Sequence, residues 1–131
     1  MHTSILPEGW VQPKGYANGV LANPGRTLYI GGQIGWNAQA QFETDDFVAQ
    51  VQQALLNIRD VLEAAQGGPE HMVRMTWYIT SKTDYTANLK GVGQAYREVM
   101  GKNYPAMSVV QVIALVEDRA KVEIEVTAVF P

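Results

Sequence analysis

The chain has 131 residues, 47% hydrophobic and 18% charged, which is enough apolar material for one folded unit over 1–131 and too much for a disordered segment. Its formal net charge is −3, and its ten basic residues are scattered without a run, which argues against a nucleic-acid-binding surface. Cysteine is absent, so disulfides, thiolate catalysis and Cys-based metal sites are excluded.

The only histidines, His2 and His71, read as solvated side chains, and no metal site or cofactor is expected from them. The first residues show neither a basic nor a long apolar signal region. The apolar stretch 104–116 is shorter than the roughly 20 residues of a membrane helix. No membrane association is expected, and the expected location is cytoplasmic.

The opening, with Pro7, Gly9, Pro13 and Gly15, reads as irregular. Residues 15–22 predict a first strand, Asn23-Pro24-Gly25 a turn, and 27–34 a second strand antiparallel to the first. Phe47, Val51, Ala54, Leu55, Ile58 and Leu62 recur at helical spacing, with Thr44 or Asp45 as cap and Gly67-Gly68 as left-handed terminator. Residues 73–80 alternate as a strand, with Met75, Trp77 and Ile79 on one side and Arg74, Thr76 and Tyr78 on the other.

A second helix is expected next, capped by Ser81 or Thr83 and ended by Gly101, with Tyr85, Leu89, Val92 and Tyr96 on one stripe. Gly91 and Gly93 inside it suggest close approach of another backbone. Residues 107–116 form a strand apolar on both faces, and Glu117-Asp118-Arg119 turns the chain into a last alternating strand, 121–130.

The order is β-β-α-β-α-β-β, an α/β (α+β) chain. Two helices cover only one face of one sheet, so a strand apolar on both faces implies cover by a second subunit. On the last strand Glu123 and Glu125 share a face, where each carboxylate can raise the other's pKa and leave one poised as a base. The same alternation equally describes two carboxylates on a solvated face.

Four blocks, in order, resemble the RidA/YjgF family of enamine/imine deaminases. They are Gly15-Tyr16-Ala17-Asn18-Gly19-Val20, Tyr29-Ile30-Gly31-Gly32-Gln33-Ile34, Tyr104-Pro105-Ala106-Met107-Ser108-Val109 and Val122-Glu123-Ile124-Glu125. The resemblance spans essentially the whole chain. It implies a chorismate-mutase-like fold whose sheets pack into a central barrel in a homotrimer, with small-molecule clefts between subunits.

By the same resemblance, Glu123 handles the attacking water, and Tyr16, Gly31 and Met107 line the site; Trp36, just after the Gly-Gln strand, is a further candidate for contact with an apolar part of the substrate, or else ordinary packing. Met107 stands where deaminating members carry an Arg that grips the substrate carboxylate, and a thioether cannot do so. The family's second-helix Asn has no secure counterpart: Asn88 is near, but Gly93 occupies the aligned position. Two readings follow: hydrolysis of an imine or enamine without a free carboxylate, or a trimer that binds a metabolite or protein without turnover. The ribonuclease activity attached to some relatives is the weakest expectation, given the acidic balance.

Overall fold

A computed structural model describes residues 1–131. In chain order it contains β1 (Thr3–Ile5), β2 (Gly19–Leu21), β3 (Arg26–Ile34), α1 (Phe47–Ala64), a 3-10 turn (Pro69–His71), β4 (Met72–Ile79), α2 (Lys82–Ala87), α3 (Leu89–Met100), β5 (Ala106–Gln111) and β6 (Val122–Phe130). The main sheet has the order β3-β6-β4-β5. β6 runs antiparallel to both its neighbours, and β4 and β5 are parallel, joined through α2 and α3. No helix is long and apolar enough to cross a membrane.

The alternation of β6 and β4 sorts side chains between two faces. Val122, Ile124, Val126, Met75, Trp77 and Ile79 point at α1 and α3 and join one core with Val51, Leu55, Ile58 and Leu62. Glu123, Glu125, Arg74, Thr76 and Tyr78 point the other way, where no element of the chain covers them. Gly91 brings α3 close to α1, but to a side chain: a Cβ there would lie 3.2 Å from Val48 Cγ2.

One buried polar side chain fixes how α1 docks. Gln50, with no exposed surface, donates from Nε2 to the carbonyls of Thr44 and Arg119, both at 3.0 Å. Its Oε1 accepts from the Lys121 amide at 2.9 Å, just before β6 begins. Gly35 makes room for this turn of α1, since a Cβ there would meet Gln50 Cβ at 2.6 Å.

Several expectations are corrected. Residues 15–22 do not form a strand against 27–34. Only Gly19–Leu21 is extended, and it pairs with β1, in the segment expected to be irregular. Gly25 accounts for the change of partner: any Cβ there would overlap the Phe130 carbonyl, so the turn delivers β3 to β6 instead. The strand expected over 107–116 stops at Gln111 because β4 ends opposite it at Ile79 and offers no further partner.

The second helix is two, broken at Asn88, whose Nδ2 donates to the Asp84 carbonyl at 2.7 Å and competes with the backbone. Asp46, rather than Thr44 or Asp45, caps α1 by accepting from the Ala49 amide. The left-handed residue at its end is Gln66, at φ 67°, rather than a glycine. Gly67 is needed for closeness instead, because a Cβ there would meet the Phe130 ring at 2.5 Å.

The histidines are not free in solvent. His2 Nδ1 accepts from the Asn23 amide at 3.0 Å, which leaves Nε2 to donate to the Val129 carbonyl at 2.9 Å. His71 Nδ1 accepts from the Gly68 amide at 3.0 Å, and its ring meets Phe130 edge-on at 4.8 Å.

Gln50→Ala strands two carbonyls and one amide at the α1 docking site. It should lower the unfolding free energy by about 2–4 kcal/mol, seen as a lower denaturant midpoint at unchanged slope. A loss below about 0.5 kcal/mol would show that water replaces the amide at no cost.

Candidate functional site

Two constellations carry the site residues, one on each side of the sheet. On the uncovered face the β3–β6 register shifts between Ile30 and Gln33, leaving Gly31 and Gly32 out of the pairing as a bulge. Glu123 folds over that bulge: a Cβ on Gly32 would lie 2.3 Å from its Oε2, whereas one on Gly31 would meet nothing within 4 Å. The missing side chain of Gly32 is therefore the space the carboxylate occupies.

The two glutamates of β6 differ in their partners. Tyr78, directly across β4 from Glu123, donates its hydroxyl to Glu125 Oε1 at 2.8 Å. That hydrogen bond, with some desolvation and the negative charges of Glu125 and Glu123, holds the Tyr78 phenol above its ordinary pKa. A raised phenol pKa contributes stability in full below the ordinary tyrosine range and loses it as pH rises through the raised value. The pair is thus intact at neutral pH. Glu123 has no hydrogen-bond or ion-pair partner and keeps its full acceptor capacity.

The second constellation lies at the edge of the sheet, between β5 and the helices. The Ala17 amide donates to the Pro105 carbonyl at 3.0 Å, and Ala17 bridges Ala106 in parallel fashion. This pins Tyr16 beside Met107, after a sharp bend at Gly15 with φ 79°. Tyr16 and Met107 line a cavity of about 590 Å³ with Trp77, Tyr85, Tyr96 and Tyr104 among its walls. Tyr96 and Tyr104 stack at 5.1 Å and 13°, and Trp77 meets Tyr85 edge-on at 6.3 Å. Burial holds the Tyr96 phenol well above the ordinary tyrosine range.

One chain does not unite the residues singled out in the sequence. Met107 and Tyr16 face the cavity, while Glu123 and Gly31 lie on the opposite side of the sheet, with β4 between β5 and β6. Trp36 belongs to neither: it packs on Phe42 at 5.8 Å, and Asn57 Nδ2 holds its carbonyl at 2.8 Å. Sequence reasoning missed Lys14 and Arg97, the two cations that line the cavity. Arg97 lies one helical turn beyond Gly93, and that i, i+4 spacing was the available signal.

The fold is that of the small Rid proteins. The Rid-family protein YyfB from Yersinia pestis superposes with a TM-score of 0.87 at 34% identity, over 98% of each chain. E. coli TdcF, solved with bound serine, superposes with a TM-score of 0.71 at 29% identity, over 94% of this chain and 92% of that one. The family model described as Endoribonuclease L-PSP matches residues 11–130, and the chain belongs to this RidA/YjgF family. Among curated relatives, the 2-iminobutanoate/2-iminopropanoate deaminase of Capra hircus is 34% identical over 115 residues, covering 87% of this chain and 79% of that protein. The Homo sapiens protein of the same name is 30% identical over the same shares.

Glycine-to-alanine substitutions should separate the two bulge residues. Gly31→Ala is expected to be silent, and Gly32→Ala to leave the melting temperature within a few degrees while displacing the Glu123 carboxylate. Crystal structures of both variants would check this. An undisplaced Glu123 side chain in the Gly32→Ala variant would remove the argument that Gly32 makes its seat.

Proposed function

We propose that this chain is a hydrolytic deaminase of reactive imines or enamines, acting as a cytoplasmic homotrimer on substrates whose reacting carbon bears no free carboxylate. The observation that carries the reading is the unpartnered carboxylate of Glu123, seated on a glycine bulge and facing away from the helices. The relatives named as 2-iminobutanoate/2-iminopropanoate deaminases give the reaction class.

In this reading Glu123 accepts a proton from a water that adds to the C=N carbon. The nitrogen takes up a proton, the C–N bond of the resulting carbinolamine breaks, and ammonia leaves a carbonyl product. Imine hydrolysis is facile in water, so orientation of one water and one substrate supplies most of what is needed. Met107 lines the cavity beside Tyr16 and offers a substrate carboxylate no partner, which supports a masked or missing carboxyl group at that position.

The separation of the two constellations and the apolar surface the chain leaves exposed support the oligomer in this reading. Val110 is 44% exposed, and Ile113 and Val116 are fully exposed beyond the end of β5. Apolar residues so placed favour cover by a second copy, and the deaminase reading requires that the trimer set one chain's Glu123 at another chain's cavity. The alternative, ligand binding without turnover, is favoured by one observation: the cavity is lined by residues of a single chain, and Glu123 is not among them.

Light scattering should give three times the 14.4 kDa chain mass. A monomer at working concentration would remove the shared site. Ammonia release from freshly generated imines should be faster for an esterified substrate than for its free acid, and Glu123→Ala should cut it about 100-fold or more. Release no faster than buffer from an intact trimer would leave the binding alternative. Equal rates on acid and ester would remove the role given to Met107.

A further inference from the structure

The cavity between α3 and β5 has a charge pattern that its neighbours do not explain. Thirteen residues line it, and the only charged ones are Lys14 and Arg97. No carboxylate lines it, although acidic residues outnumber basic ones, 13 to 10, in the chain. The ion pairs of the molecule are Arg59–Glu63, His71–Glu70 and Arg119–Asp45, so neither cation of the cavity is neutralised. Neither side chain makes a hydrogen bond within the chain.

Arg97 and Lys14 are both exposed, but Arg97 has a defined place at the cavity wall. Its guanidinium turns back one helical turn over Gly93, where a Cβ would lie 3.3 Å from Nη1. Gly93 itself lines the cavity, so the bare stretch of α3 lets the guanidinium rest against the helix at the cavity wall. Tyr16, Tyr85 and Tyr104, none of them fully buried, line the same cavity. A planar cationic fork next to aromatic walls suits a ligand with a flat apolar body and one acid group.

We propose that this cavity takes an aromatic carboxylic acid, its ring among Tyr16, Tyr85 and Tyr104 and its carboxylate on the Arg97 guanidinium, with Lys14 supplying a second positive charge. This rests on the reading of the cleft as a ligand site and deepens it by naming the ligand class. Met107 offers no anchor beside a reacting carbon, whereas Arg97 anchors an acid group at the helix side of the cavity. Arg97 is thus a specificity-determining residue, set on a different element from the position Met107 occupies.

The test is calorimetric titration of the full-length protein with 3-phenylpropanoate, 3-phenylpropanamide and propanoate. The aromatic acid should bind at least tenfold more tightly than either the amide or propanoate. Arg97→Leu should cost the acid at least fivefold and leave the amide unchanged, and Arg97→Lys should restore part of the loss. Equal binding of acid and amide, no binding of any of the three, or an Arg97→Leu effect shared by acid and amide would overturn the proposal. Ammonia release by the same preparation separates it from the deaminase reading. Acid-selective binding without release retires that reading alone, and release without acid preference retires this one alone.

Discussion

Helices cover one face of the four-stranded sheet and nothing in the chain covers the other, and most of the structure follows from that asymmetry. β6 sits between β3 and β4, so its alternation must satisfy two neighbours at once. Val122, Ile124 and Val126 can meet α1 only if Glu123 and Glu125 turn away from it. The carboxylates and the core are thus two readings of one strand register. A slip by one residue would bury both acids and expose the valines, at a cost no local adjustment recovers.

Within that frame, the candidate site residues gather where regular pairing is interrupted. The bulge at Gly31 and Gly32 gives Glu123 a seat, and the short bridge at Ala17 holds Tyr16 against the β5 edge. Asn57 does comparable work at the exit of β3: its Nδ2 binds the carbonyls of both Ile34 and Trp36, at 3.0 and 2.8 Å. The bulge and the bridge thus place candidate site residues directly from the sheet, without a buried polar network on the open face.

The parts of the fold legible in the sequence were those set by near neighbours. The stripe of α1, the alternation of β4 and β6, and the stop at Gly101 with φ 66° depend on residues a few positions apart. The end of β5 and the partner of β2 depend on where distant strands run out, and nothing in residues 107–116 or 15–22 encodes that. The site divides in the same way. Tyr16, Met107 and Glu123 were visible through motif blocks, whereas Lys14 and Arg97 look like any surface cation until the cavity beside them is seen.

The Gln50 amide has a further consequence, for the conformations the chain does not adopt. Its three partners come from the loop before α1 and from the turn into β6, so they coincide at one axial position of the helix only. A leucine there would reward any docking of α1 onto the sheet, shifted or not. The amide instead penalises each displaced docking, because it would be dry and unpaired in all of them. Gln50 therefore selects one docking over its displaced neighbours, the alignment in which the bulge and the cavity both form.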